Sequence, residues 1–281
     1  MPVVIHGADS DDFVRGHLIW SALNALAPAK AYAPDCVDLT GLLLARPHTV
    51  AAIAALGCLA HGNAELILPT SQDARNFVVR SGLLDLFSCR EAPRLSASPR
   101  IVPVRQLAHP SPTFADEISS AWDLEFGGMP AGLRPRLAGH LDELLLNALS
   151  HAESSIGCVV AAQVYPSVPS VELTVLDLGQ TIRGHLSKTR QYATLTDDAE
   201  AIVMATEEGV TGTPAGQVNR LGDPNSGVGL FELREYCQVG GGQLSIVSGL
   251  ARVTFGSGHE PIAQPFAGGF PGCLVRVRFQ V

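Results

Sequence analysis

Over the first ninety residues, short apolar runs alternate with stretches of helical spacing. PVVIHG reads as a strand, and residues 10–27 repeat apolar side chains three and four apart, as an amphipathic helix does. DCVDLTGL reads as a second strand, HTVAAIAALGCLAHG as a helix and AELILP as a third strand. SQDARNFVVRSGL then reads as a helix opening at Ser71, a residue type that caps helix N-termini. Strands separated by helices of this length predict βαβ units on a small sheet.

Residues 91–113 interrupt the pattern with Pro93, Pro99, Pro103, Pro110 and Pro112 and read as a linker, although IVPVRQL can add an edge strand to either neighbour. Helical spacing returns over 114–126 and 133–152, followed by strands at 157–164 and 171–177. A loose polar stretch occupies 183–226, then comes a helix over 228–239. QLSIVS, ARVTF and CLVRVRFQV read as three closing strands. The pattern predicts an α/β protein: a small N-terminal α/β domain over 1–90, and over 114–281 an α/β sandwich with helices on one face of a mixed sheet.

Composition narrows the functional classes. With 281 residues, 46% hydrophobic and 16% charged, the chain reads as folded, and a net charge of −8 leaves no basic footprint for nucleic acid or anionic lipid. No apolar run reaches the roughly 18–20 residues of a membrane helix, and MPVVIHGADSDD turns acidic too soon for a leader peptide. Six scattered cysteines without a C-x-x-C pair read as buried thiols of a reducing cytoplasm, not as a zinc site. Only Lys30 and Lys188 are lysines and neither follows a glycine, so a G-x-x-x-x-G-K-[ST] phosphate loop is excluded.

Three clusters carry candidate chemistry. In LDELLLNALSHAE, Glu143, Asn147 and His151 fall four residues apart on one helical stripe. A carboxylate and an amide one turn apart can hold a hard cation or its waters, and the carboxylate can take a proton; the same spacing also describes a solvated helix edge. In VLDLGQTI, Asp177 ends an apolar strand just before Gly179. Such a carboxylate can accept a hydrogen bond from an exocyclic amine, or simply belong to a strand-to-loop turn. In DPNSGVGLFELREY, Gly227 and Gly229 open an amphipathic helix, whose bare amides and dipole suit phosphate. It is not a dinucleotide fingerprint, because no strand precedes it and the third glycine is missing. Gly240, Gly241 and Gly242 end that helix.

Taken in order, E-x-x-x-N on a helix, D-x-G after a strand, and G-x-G-L at a helix start resemble the N box and the two glycine boxes of the GHKL ATPases, the Bergerat fold of DNA gyrase and sensor kinases. ELLLNALSHA is most similar to the form found in anti-sigma-factor serine kinases and sensor kinases, and PGCLVRVRFQV resembles that family's last strand. The resemblance covers roughly 114–281. It implies that ATP and magnesium bind, with Asn147 on the metal, Glu143 as general base, Asp177 on the adenine amine and Gly179 keeping that turn clear for the ring. It also implies that Gly227, Gly229 and the adjoining Leu230 form the phosphate cradle, and that 183–226 form a mobile lid. Thr181 stands where the family's D-x-G-x-G has its last glycine, which puts the width of the adenine pocket in question. His151 is read as structural.

The first ninety residues resemble a STAS domain, the fold of anti-sigma-factor antagonists, through VDLTGLLLARPHTVAAIAAL and AELILPTSQDARNFVVRSGLLDLF. Where that family carries its phosphorylatable D-S-S-G turn, this chain has Arg46-Pro47-His48-Thr49, with Thr49 off the aligned position. The resemblances together imply a partner-switching regulator that binds or phosphorylates a protein partner. Alternatives are an ATPase driving a clamp, or a binding module in which nucleotide only sets conformation. A serine/threonine or histidine kinase or ATPase activity stays open through Glu143, as does a homodimer. A cis-acting histidine kinase is disfavoured because 91–113 are too short and proline-rich for a helical dimerisation segment. A clamp is disfavoured because neither lysine is placed to reach a phosphate.

Overall fold

A computed structural model describes residues 2–5, 7–8, 25–89, 95–213, 227–240 and 242–280. The chain is mixed α/β, with parallel and antiparallel strands segregated into different sheets. In the N-terminal part, β1 (Pro2–Val4), β3 (Cys36–Asp38) and β5 (Glu65–Ile67) form a parallel sheet in the order β1-β3-β5. A short parallel pair joins β2 (Gly7–Ala8) to β4 (Leu42–Leu44). The helices are α1 (Leu26–Ala31), α2 (Pro47–Leu59) and α3 (Gln72–Arg80). Most of the helix expected over 10–27 lies outside the described residues. Ser71 does stand at the N-cap of α3, but its hydroxyl donates to the Leu43 carbonyl at 2.8 Å instead of capping the helix.

The C-terminal part contains β6 (Ile101–Leu107), α4 (Pro112–Phe126), α5 (Leu133–Leu146), β7 (Cys158–Tyr165), β8 (Ser170–Asp177), α6 (Ile182–Leu186), α7 (Asp198–Ala205), α8 (Gly229–Gly240), β9 (Gln243–Gly256) and β10 (Ile262–Gln280). The sheet order is β6-β7-β8-β10-β9, and every neighbouring pair is antiparallel. This sheet is therefore not mixed, as the strand pattern predicted. Two boundaries also differ. Residues 101–107 of the expected linker are the edge strand β6, where the ladder skips Pro103 through a register shift between Val102 and Arg105. QLSIVS and ARVTF are one strand, β9, which turns through Gly249 at φ 59° without leaving the sheet.

The two parts share a core. Every residue of α2 from Pro47 to Cys58 is buried. A helix apolar on all sides needs cover on all sides. Val50, Ile53 and Leu56 belong to one cluster with Val3, Val37 and Leu66 of the parallel sheet and with Val159, Ala161, Leu176 and Leu274 of the antiparallel one. Alternate residues of the same strands, among them Val160, Val175 and Val277, face α4, α5 and α8. The five-stranded sheet is thus covered on both faces, and all eight residues of β8 are buried.

This second layer also contains a polar junction. Glu172, on the α2 side of β8, accepts from Arg276 at 2.8 Å and lies 3.1 Å from Nδ1 of His48. Burial raises its pKa, but Arg276 and His48 more than offset that and hold the carboxyl well below the usual range. Pro47 opens α2, and Thr49 is 3% exposed. The segment read as a degenerate phosphoacceptor turn is therefore a helix start packed into an interface, and Thr49 is closed to modification.

Candidate functional site

Helix α5 ends in a five-residue π turn, Asn147–His151. An α-helix drifts its stripe by about 40° every four residues, and the wider π turn takes that drift back, so Glu143, Asn147 and His151 all reach one cavity. That cavity, about 120 Å³, is large enough for a ligand and not merely one or two waters. Asp177, Thr181, Gly227, Gly229 and Leu230 line it as well. Three segments spread over the chain from Glu143 to Leu230 therefore converge. Neither the Glu143 carboxylate nor the Asn147 amide pairs with another described side chain, and both line the cavity.

Asp177 reaches the pocket because it shares the face of Val171, Leu173 and Val175 on β8. Its carboxylate accepts from the Gly179 amide at 2.9 Å. Burial lifts its pKa to about 7, against the opposing pull of the Gly179 and Cys273 amides and of Lys30. Its lateral neighbours in the ladder are Cys158 and Cys273, thiols that burial itself pushes up and keeps neutral. A carboxyl so placed faces the pocket with its charge disfavoured by burial and offset only in part by the two amides and Lys30.

Gly229 begins α8 directly over Glu143, and a Cβ there would meet Glu143 Cβ at 2.9 Å. Gly227 has φ 65° and lies against the Val210 carbonyl, so its conformation and its packing both require glycine. The pocket thus joins a buried acceptor, an amide beside a carboxylate, and a helix N-terminus that favours negative charge. The Glu143 pKa is raised by burial, with Glu232 and Asp142 adding to it, so this carboxyl takes up a proton more readily than a solvated one.

Two expected roles change. A Cβ on Gly179 would collide with the Ala152 carbonyl, and Gln180 N donates to that carbonyl at 2.7 Å. Gly179 therefore lets the 178–180 turn pack on the end of the π turn. Thr181 caps α6, its hydroxyl accepting from the Gly184 amide at 3.0 Å. His151, read as structural, lines the pocket with its ring 4.8 Å from that of His185. Burial, His151 and Lys188 lower His185 to about 4, against Glu153, so it is neutral near pH 7. His185 and Gln180, whose side-chain amide donates to the His151 carbonyl, are pocket residues that no motif announced.

The segment expected as a lid, with Ile182 just before it, supplies part of the apolar wall. Ile182 and Leu186 from α6, Ala205 from α7 and Val210 line the cavity. Asp198 ties this wall down by accepting from Arg183 at 2.6 Å and from the Leu250 amide of β9 at 2.8 Å. The remainder of the expected lid, 214–226, lies outside the described residues. Among the described residues no three His, Cys, Asp or Glu side chains gather for a metal, so a cation here would depend on Asn147, Glu143 and oxygens brought by a ligand. Among the described residues the six cysteines form no disulfide, and no helix is long and apolar enough to cross a membrane. Compared with models of known families, with curated proteins and with solved structures, the chain matches none of them.

Proposed function

We propose that residues 114–281, together with β6, form a Bergerat-fold module that binds ATP with magnesium, and that the STAS-like N-terminal part is its regulatory module, docked in cis. The observation that carries this reading is the meeting of Glu143, Asn147, Asp177, Gly227 and Gly229 in one cavity. Asp177 accepts the adenine amine. The start of α8 receives the phosphates, and Asn147 holds the magnesium that neutralises them. Glu143, beside that helix start, activates the attacking hydroxyl or water. Magnesium contributes Lewis-acid neutralisation of the transferred phosphoryl group, and the chain contributes positioning and proton uptake.

The function is that of a partner-switching regulator acting on a protein in trans. The burial of His48 and Thr49 against the sheet supports this over a switch in which the N-terminal module is itself phosphorylated. Calorimetry with Mg-ATP tests the site: Asn147→Ala and Asp177→Ala abolish binding, and unimpaired binding in both overturns the assignment. Glu143→Ala keeps binding and loses phosphoryl transfer or hydrolysis. Equal turnover in that variant removes Glu143 as the base.

A further inference from the structure

Lys30 belongs to the N-terminal part, yet its ammonium donates to two carbonyls of the C-terminal part, Gly179 at 3.0 Å and Pro271 at 3.2 Å. The first lies in the turn that follows Asp177. The second lies in the irregular stretch of β10 just before Cys273, where the register shifts between Phe270 and Cys273. These two backbone segments supply the amide donors of the Asp177 carboxylate, from Gly179 and from Cys273. They touch each other as well, since a Cβ on Gly272 would meet Leu178 Cα at 2.8 Å. A single side chain from α1 thus clasps both walls of the acceptor from behind.

We propose that Lys30 is a positioning residue for purine recognition: by tying the Gly179 and Pro271 carbonyls together it fixes the turn that aims Asp177 at the base, so the N-terminal module completes the nucleotide pocket in cis. This rests on the nucleotide reading given above. The groups facing Asp177 are the neutral thiols of Cys158 from β7 and Cys273 from β10, and Lys30 from α1; among the described residues Lys30 supplies the positive charge that opposes burial. Linkage makes the effect reciprocal: a purine that favours the ordered turn also favours docking of α1.

The experiment uses the full chain as wild type, Lys30→Ala and Lys30→Arg. Binding of Mg-ATP is compared with binding of purine riboside triphosphate, which lacks the exocyclic amine. Because the Lys30 side chain reaches its partners from the exposed surface, its removal opens no core cavity, and an unchanged melting temperature shows that the variant is folded. Expected is a loss of ATP affinity on the order of fivefold to tenfold in Lys30→Ala, with the amine-free analogue little changed and Lys30→Arg restoring most of the loss. The deficit is larger near pH 6 than near pH 8, because without Lys30 more Asp177 is protonated. Equal loss for both nucleotides, or no loss in Lys30→Ala, overturns the proposal while leaving the pocket assignment intact. A wild-type chain that binds neither nucleotide overturns the pocket assignment, and the proposal falls with it.

Discussion

Asp177 is held against its own preference, and Asp177→Asn measures by how much. Burial lifts the carboxyl from its ordinary 3.8 to about 7, which at 1.36 kcal/mol per tenfold is worth about 4 kcal/mol. The folded-state pKa is the higher one, so the native state keeps a proton that the unfolded chain has already released. The stability this group contributes is fully present below about pH 4 and is lost as the pH rises through about 7. Asparagine imitates the protonated form at every pH. The ionisation part of its advantage over wild type is therefore nil near pH 3, grows by about 1.4 kcal/mol per pH unit between about pH 4 and 7, and is flat above about pH 8. Its NH2 cannot accept, so one of the bonds from Gly179 or Cys273 is lost at about 1 kcal/mol, leaving a net gain of roughly 3 kcal/mol near pH 8. For a chain of this size that is a rise in melting temperature of roughly 6–12 °C. Thermal and urea unfolding of both proteins between about pH 4 and 8.5 read the difference directly. A difference independent of pH, or a wild type that gains on the variant as pH rises, refutes the reasoning. Asp177 would then be an ordinary carboxylate with no penalty for a ligand amine to offset.

On the opposite face of β8 the sign reverses. Glu172 is held low by Arg276 and His48, so its contribution is present above the ordinary carboxylate range and is lost progressively as pH falls through and below it. His48→Ala leaves a buried carboxylate oxygen short of a partner, and urea unfolding should show a loss of about 1–3 kcal/mol. In Gly179→Ala the new methyl must displace the Ala152 carbonyl, so stability falls by about 1–3 kcal/mol and Mg-ATP binding weakens with it, both measurable on the purified variant. Thr181→Ala costs about 1 kcal/mol through the lost cap, whereas Thr181→Ser keeps most of it; no loss in Thr181→Ala would show that the hydroxyl is not capping α6.

Most of the element order was legible because apolar spacing is a local signal: α4, α5, α8 and strands β7 and β8 lie within a residue or two of where the pattern put them, up to the π turn. Glu143, Asn147, Asp177, Gly227 and Gly229 were legible only as separate fragments, each consistent with an ordinary surface or turn, because their meeting is a property of the sheet and not of any window of sequence. The roles of Gly179 and Thr181 could not be read at all. One depends on how close Ala152 comes, the other on whether a short helix starts at residue 182. His185 and Lys30 stood outside every motif. Only Lys30 carried a hint, as one of two lysines in a chain that otherwise uses arginine.

The largest misreading concerned the second face of the five-stranded sheet, and the sequence held the means to avoid it. VELTVLD alternates, which suggests one solvated face, but the alternation sets Glu172 and Thr174 against Val171, Leu173 and Val175, and both polar residues are buried. HTVAAIAALGCL, by contrast, has no polar stripe, and a helix of that kind has to be enclosed. A sheet with a polar-looking second face and a helix with no polar face are complementary requirements, and α2 against β7 and β8 meets both. Glu172 is tolerated there because the incoming helix brings His48 to it while β10 brings Arg276. The consequence runs across the sheet. The strand that presents Asp177 to the pocket on one face is gripped through Glu172 on the other, and the turn beyond Asp177 is held by Lys30. Any displacement of the N-terminal part must therefore disturb the acceptor end of the pocket, through the eight buried residues of β8.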